Sequence, residues 1–210
     1  MSPRPRATRS LEREARRLGF AHIAGTDEAG RGCLAGPVVA GAVVLPEAIR
    51  ISGIADSKLV SAVDRETLFD EIRGAAVTWA VAVVDADEID RINILRASLL
   101  AMRRAIEALT PIPGFALIDG HMRVPDLAIA QRPVIGGDRK STAIAAASIL
   151  AKVTRDRLMC EAHARDPRYG FDQHKGYATA EHLRAVAEHG YSPLHRRSFR
   201  PPSLFDTIDP

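Results

Sequence analysis

The chain is short of aromatic residues: Phe, Trp and Tyr make up 5% of its 210 residues. A surface built on several stacked aromatics is excluded; a single functional tyrosine is not. Cysteine is nearly missing too. Cys33 and Cys160 lie far apart and form no CxxC pair, which excludes a disulfide framework and leads us to expect a reduced, cytoplasmic protein. No apolar run reaches the roughly 18 residues of a membrane span without a charge or turn residue interrupting it. The Arg-rich N-terminus is not followed by an apolar segment, so no secretory signal is expected. The Gly-rich lysine loop of nucleotide triphosphatases does not occur either. Neither charge sign dominates: 29 Lys and Arg stand against 26 Asp and Glu, a net charge of +3. That permits a nucleic-acid partner without demanding one. Hydrophobic residues, at 46%, are enough for a substantial core, and nothing demands more than a monomer.

What is present is organised around Gly25-Thr26-Asp27-Glu28-Ala29-Gly30-Arg31-Gly32. The apolar run Ala21–Thr26 reads as a strand and Val38–Leu45 as the next. Two adjacent carboxylates therefore stand where a strand ends and a Gly-Arg-Gly turn begins. Successive strand residues point to opposite faces. A strand continuing through Glu28 would let only one carboxylate reach a given site. The expectation is a bend at Glu28, with its carbonyl available as a ligand.

Upstream, Ser10–Phe20 has a helical pattern, with Leu11, Ala15 and Leu18 on one face, Ser10 as N-cap and Gly19 as stop. Downstream come a helix near Asp64–Arg73, a strand at Thr78–Val84, a short helix at Ala86–Arg91 and a long amphipathic helix at Asn93–Leu109. Three successive strands suggest an antiparallel meander. Phe115–Ile118 is wholly apolar, which marks a strand buried on both faces and parallel to a neighbour. A last short strand surrounds Pro133–Ile135. Ser141–Cys160 reads as an Ala-rich helix whose small side chains allow close approach to a sheet. Its polar residues Ser141, Ser148, Lys152 and Arg155 share one face, at spacings of seven, four and three. A final helix runs from Thr179 to Glu188, stopped by Gly190.

Three acids share one grammar. Asp27 ends a strand, Asp119 ends the buried strand before Gly120, and Asp138 follows two glycines and opens a helix. Strand ends are where open α/β sheets place their sites. Carboxylates without clustered cysteine or histidine favour Mg²⁺ or Mn²⁺ over Zn²⁺. Two such ions about 4 Å apart hold a phosphate, activate water and stabilise the leaving oxygen. Phosphodiester hydrolysis is the chemistry this pattern suits.

From about Ile23 to Phe199 the ordered motifs resemble those of the ribonuclease HII family, bacterial type. They are Asp27-Glu28-Ala29-Gly30-Arg31-Gly32 with Leu34-Ala35-Gly36-Pro37; Asp56-Ser57-Lys58; Asp119-Gly120; Gly137-Asp138 with the run from Ile144 to Asp156; His174-Lys175-Gly176-Tyr177 with Thr179 and His182; and His195-Arg196-Arg197-Ser198-Phe199. The resemblance implies an α/β fold: a ribonuclease H-like mixed five-stranded sheet, antiparallel and then parallel, flanked by helices. It implies cleavage of RNA in RNA–DNA hybrids and 5′ of single ribonucleotides embedded in duplex DNA. The catalytic, metal-binding acids would be Asp27, Glu28, Asp119 and Asp138. Asp156 competes for the fourth role but lies over four turns along the helix. Gly30, Arg31 and Gly32 would read the ribonucleotide, and Tyr177 would pack on the deoxyribose that follows. Lys58, Lys152, Lys175 and Arg196 are candidates for backbone contacts. The organisation expected is a basic extension (1–20), a catalytic domain (21–165), a helical substrate-binding extension (166–199) and a flexible tail (200–210). Two rivals are another ribonuclease H-fold nuclease, of the junction-resolvase type, and a non-catalytic binder of hybrids.

There are departures from the family pattern. Cys33 stands where proline is usual, which should loosen the turn and bring an oxidisable thiol to the site. Leu59 and Val60 replace Lys-Leu, His121 replaces asparagine, and Gly136 stands where lysine is common. In the tail, Leu204 and Phe205 resemble peptides that dock weakly in a bacterial sliding clamp.

Overall fold

Val38–Val44 contains no polar side chain and none larger than valine, and it is buried along its whole length. Such a strand belongs inside a sheet covered on both sides. In the computed structural model, which describes residues 7–49, 54 and 61–199, it is β2 of a five-stranded sheet. β1 is Ile23–Ala29, β3 Thr78–Val84, β4 Phe115–Asp119 and β5 Ala130–Val134, in the order β3-β2-β1-β4-β5. β2 is antiparallel to β1 and β3, whereas β4 is parallel to β1 and β5. This is the expected meander followed by parallel strands. β5 begins before the expected segment and is an edge strand, where Pro133 costs no central ladder bond. Asp56, Ser57, Lys58, Leu59, Val60, Leu204 and Phe205 lie outside the described residues.

The helices are α1 (Ser10–Arg17), α2 (Ala62–Ala75), α3 (Ala86–Ile92), α4 (Ile94–Glu107), α5 (Thr142–Arg165), α6 (Phe171–His174) and α7 (Ala180–His189). α4 covers one face of the sheet: Ala97, Ala101, Met102, Ala105 and Ile106 bury Ala24, Val38, Ala40 and Ala42. α5 covers the other, with α2 beside it. The Ala-rich helix comes as close as its side chains allow. A Cβ on Gly25 would lie 2.2 Å from the carbonyl carbon of Ala143, and one on Gly41 2.4 Å from the Ala147 oxygen. Both strands carry glycine where helical backbone touches them. α5 outruns its expected end because nothing stops it before Asp166-Pro167; a residue preceding proline is biased away from helix.

α1 departs from its pattern. Arg9, not Ser10, occupies the cap position, and Leu18, expected on the apolar face, is 69% exposed. Instead α1 buries Glu12, whose Oε1 accepts from the Ser141 hydroxyl (2.8 Å) and the Ala143 N–H (2.9 Å). A carboxylate thus caps the N-terminus of α5, where the helix dipole favours negative charge. Among the described residues no helix is long and apolar enough to cross a membrane.

Candidate active site

β1 alternates faces through its length, and this decides where the acids go. Gly25 and Asp27 face α5; Asp27 accepts a hydrogen bond from the Ser148 side chain. Ala24 and Glu28 face α4. The expected bend at Glu28 does not occur, because pairing continues from Glu28 to Ala40 and from Ala29 to Val39. Both carboxylates nevertheless line one cavity of about 430 Å³, together with Asp119. The expectation failed because the site wraps around the carboxyl ends of the strands rather than lying on one face. Asp119 ends β4 beside β1 and borders both the main cavity and a smaller recess on the α4 side. Its Oδ1 accepts from the Gly137 N–H at 2.6 Å, which ties β4 to the 3₁₀ turn Gly137–Arg139 carrying Asp138. Asp138 is buried there and does not line the cavity.

The acids are poorly solvated and close to one another. Burial, then the nearby charges of Asp119 and Glu28, push the Asp27 carboxyl well above the usual range. Burial also raises Glu28, against the pull of Arg31, whose Nη1 lies 3.5 Å from Glu28 Oε1. Confined carboxylates of this kind are what a hard divalent cation neutralises, and oxygen-only donors suit Mg²⁺ or Mn²⁺. Among the described residues no three acidic, histidine or cysteine side chains already converge as a closed ligand set. The donor chemistry fits the ion, while the carboxylates as they stand are spread over the strand ends.

Gly30, Arg31 and Gly32 line the same cavity, as do Lys152 and Tyr177. The two glycines differ in purpose. Gly30 has φ +90°, and a Cβ there would fall 1.9 Å from Arg155 Nε, whereas a Cβ on Gly32 would meet nothing within 4 Å. Gly30 is required by what packs behind the loop; Gly32 leaves room in front of it. Tyr177 is 46% exposed at the cavity edge. Lys152 donates to Asp156 Oδ1 at 2.6 Å, and Arg65 of α2, also lining the cavity, approaches Asp156 Oδ2 at 3.9 Å. Asp156 is therefore partnered by cations and stands apart from the acid group.

Arg196 is a correction. It was a candidate for contacting a nucleic-acid backbone, but it is fully buried. Its guanidinium donates to the carbonyls of Gly30 (2.7 Å), Arg31 (3.0 Å) and Gly36 (2.9 Å). Burial lowers its pKa to about 10, so it stays charged at neutral pH. Arg155, equally buried, donates to the carbonyls of Pro37 (3.0 Å), Lys175 (2.9 Å) and Ala35 (3.1 Å). It thereby joins the Gly-Arg-Gly loop to the Tyr177 segment. The Leu34 N–H adds a bond to the Gly176 carbonyl at 2.9 Å. Lys175 turns its amine back to the Asp172 carbonyl. Cys33 is buried too. Its thiol hydrogen-bonds the Tyr177 side chain and is held protonated by burial, not presented to oxidants. His121 is exposed beside the smaller recess. Ser148 and Arg155 belong to the polar stripe of α5, and that stripe runs beneath the site. Arg65 was missed, and only its place on α2 brings it there.

A mixed sheet in this strand order, with acids at neighbouring strand ends above a long helix, defines the ribonuclease H-like class. The model of the Ribonuclease HII family matches residues 24–201. Ribonuclease HII from Polaromonas sp. (strain JS666 / ATCC BAA-500) is 58% identical over 179 residues, 85% of this chain and 89% of that protein. The crystal structure of ribonuclease H2 from Pyrococcus horikoshii OT3 superposes with a TM-score of 0.73 at 26% identity, covering 86% of this chain and 94% of that one. RNase HII from Archaeoglobus fulgidus, solved in complex with PCNA, gives a TM-score of 0.73 at 27% identity, over 86% and 96% of the two chains. The chain belongs to the ribonuclease HII family, and it is an endoribonuclease.

Proposed function

We propose that the protein is a monomeric cytoplasmic nuclease that hydrolyses RNA in RNA–DNA hybrids and cuts 5′ of single ribonucleotides embedded in duplex DNA, leaving a 3′-hydroxyl and a 5′-phosphate. The observation that supports this best is one cavity lined by Asp27, Glu28, Asp119, Gly30, Arg31, Gly32 and Tyr177. Asp27, Glu28, Asp119 and Asp138 would hold Mg²⁺ or Mn²⁺. Bound there, such ions supply an activated water and neutralise charge on the phosphate and the leaving oxygen.

The rest of the work falls to the chain itself. Telling RNA from DNA requires touching the 2′-hydroxyl. Gly32, with open space where a Cβ would be, lets the backbone approach that group. Arg31, half exposed and drawn toward Glu28, would offer its guanidinium to a phosphate oxygen. Tyr177 offers a flat ring to the next sugar, accepting one without a 2′-oxygen and crowding one that has it. Lys152 is the candidate for a backbone contact among the cavity cations. Lys58 would add another.

The test is cleavage of a duplex with one embedded ribonucleotide, compared with a uniform RNA–DNA hybrid, in Mg²⁺ or Mn²⁺. Wild type should cut on the 5′ side of the ribonucleotide. Tyr177→Ala should lose about tenfold in kcat/KM on that substrate relative to the hybrid, a stacking contribution of about 1.4 kcal/mol. An uncut embedded ribonucleotide removes the reading. Cleavage of all-DNA junctions would favour a resolvase, and binding without cleavage a passive hybrid binder.

Leu204 and Phe205 would make a weak contact with a sliding clamp, a proposal supported by the PCNA complex of the Archaeoglobus relative. Clamp pull-down should fall about tenfold or more when both become alanine, as expected when two buried apolar side chains are lost. Undiminished capture would remove this contact.

A further inference from the structure

His174, His182 and His195 come together behind the Tyr177 segment, buried or half-buried among Tyr169, Phe171 and Tyr191. The rings of His174 and His182 stack, with centroids 4.3 Å apart and 15° between planes. Their hydrogen bonds run in one direction only. The Ser192 N–H donates to His195 Nδ1 at 2.9 Å, and the Ser192 hydroxyl lies 2.8 Å from the same nitrogen. A backbone N–H cannot accept, so His195 must carry its proton on Nε2. That proton goes to His182 Nε2, 3.0 Å away. His182 is then protonated on Nδ1, which lies 2.8 Å from the Tyr177 carbonyl. His174 brackets the same residue from the other side. Its Nδ1 accepts from the Gly176 N–H at 3.2 Å, its Nε2 donates to the Tyr169 carbonyl at 2.8 Å, and its carbonyl accepts from the Tyr177 N–H at 3.0 Å.

Ser192, through its backbone amide with its hydroxyl beside it, therefore sets the tautomer of two rings and aims an N–H at the main chain of the cavity tyrosine. The segment needs such support. Lys175 has φ +51° and Gly176 φ +83°, a left-handed path that a lysine adopts only when its surroundings hold it there. A Cβ on Gly176 would strike the Ala35 oxygen at 2.3 Å, so the turn is pressed against the Gly-Arg-Gly side and must be held from behind. Burial keeps His182 and His195 at about 4, and both rings are neutral, as the chain of bonds requires.

We propose that the Ser192–His195–His182 chain is a positioning device for Tyr177, fixing the main chain behind a ring that the Cys33 thiol also holds, at the distance from the Gly-Arg-Gly loop that spans one ribonucleotide-to-deoxyribonucleotide step. The inference rests on the reading of Tyr177 given above. The histidines touch no substrate; they act through the tyrosine.

Two conservative variants separate positioning from packing. His182→Asn puts an amide N–H where Nδ1 stands and keeps the donor to Tyr177. His182→Gln reaches toward His195 instead and leaves the Tyr177 carbonyl without it. The readout is the ratio of kcat/KM on a single embedded ribonucleotide to kcat/KM on a uniform hybrid. The ratio should fall about five- to tenfold in His182→Gln and stay within about twofold of wild type in His182→Asn, the scale of one lost hydrogen bond. In a Tyr177→Ala background, His182→Gln should leave the ratio where Tyr177→Ala alone puts it. Should His182→Gln fail to fold, His195→Phe gives the same readout: it releases His182 to either tautomer and should lower the ratio about threefold. Equal losses on both substrates, with the ratio unchanged, overturn the proposal. So does a further fall in the ratio when His182→Gln is added to Tyr177→Ala. If Tyr177→Ala itself leaves the ratio at the wild-type value, the reading of Tyr177 fails and this inference with it. If Tyr177→Ala lowers the ratio and His182→Gln does not, only the inference fails.

Discussion

Asp27→Asn is expected to lower cleavage by about 10³-fold or more, the scale of losing a group that holds the metal ions, while the ion-free protein melts no lower than wild type. The two halves of this expectation have one cause. Asp27 is 6% exposed, and burial together with Asp119 and Glu28 raises its carboxyl well above the usual value. A carboxyl whose folded pKa is raised binds its proton more tightly in the folded state. Its contribution to stability is complete below the unfolded pKa and is lost as pH rises through the folded one. At neutral pH, above the ordinary carboxyl range, burying Asp27 without an ion is therefore a liability. Asparagine keeps the size, and its carbonyl can still accept from Ser148, but it carries no charge. Thermal melts in a chelator should show Asp27→Asn at or above wild type at neutral pH, with the difference shrinking as pH falls. Equal cleavage by the variant, or a lower melting temperature at neutral pH, would count against this account of the acids.

The second large effect is on the fold around the site. Arg196→Met should cost roughly 3–5 kcal/mol, since it strips a buried charge-assisted donor from three carbonyls at once. That corresponds to a melting temperature lower by roughly 10 °C for a chain of this size. Arg196→Lys should restore little of it, because an ammonium on a single stem cannot reproduce the planar fork that reaches Gly30, Arg31 and Gly36 together. A phosphate contact would behave otherwise. Removing it would reduce the salt dependence of substrate binding by about one counterion and leave stability nearly unchanged. Differential scanning calorimetry, with binding measured across a salt series below the melting transition, separates the two. A stable Arg196→Met protein with a shallower salt slope would return Arg196 to the nucleic-acid interface.

Much of the architecture was legible in the residues. The all-apolar Val38–Val44 and Phe115–Ile118 announced interior strands, and the Ala-rich run from Ser141 announced a helix pressed onto the sheet. Both follow from periodicity and side-chain size, which are local properties. The acids were legible for a similar reason: Asp27 and Asp119 interrupt apolar runs near the carboxyl ends of their strands. Local properties misled where a third element decides the environment. Leu18 fits the apolar face of α1, but the helix ends before anything covers it. The alternation rule, correct for β1 itself, led to the expectation of a bend at Glu28, since a straight strand would turn Asp27 and Glu28 to opposite faces. It could not anticipate that Asp119 on the neighbouring strand would bridge the two faces.

By itself, the sequence determined the order of strands and helices, the acidic strand ends and the presence of a Gly-Arg-Gly turn with a later tyrosine. Only the tertiary structure decided what the long polar side chains do. Arg196 lies 165 residues from the Arg31 carbonyl it holds, and Arg155 lies 120 from Ala35. A flexible, charged side chain reads as surface in any local window. Whether it ends in solvent or among unpaired carbonyls depends on which backbone folds over it, and that is settled only when distant segments meet. The same holds for His182 and His195, whose tautomers follow from contacts with Ser192 and with each other that local spacing does not reveal.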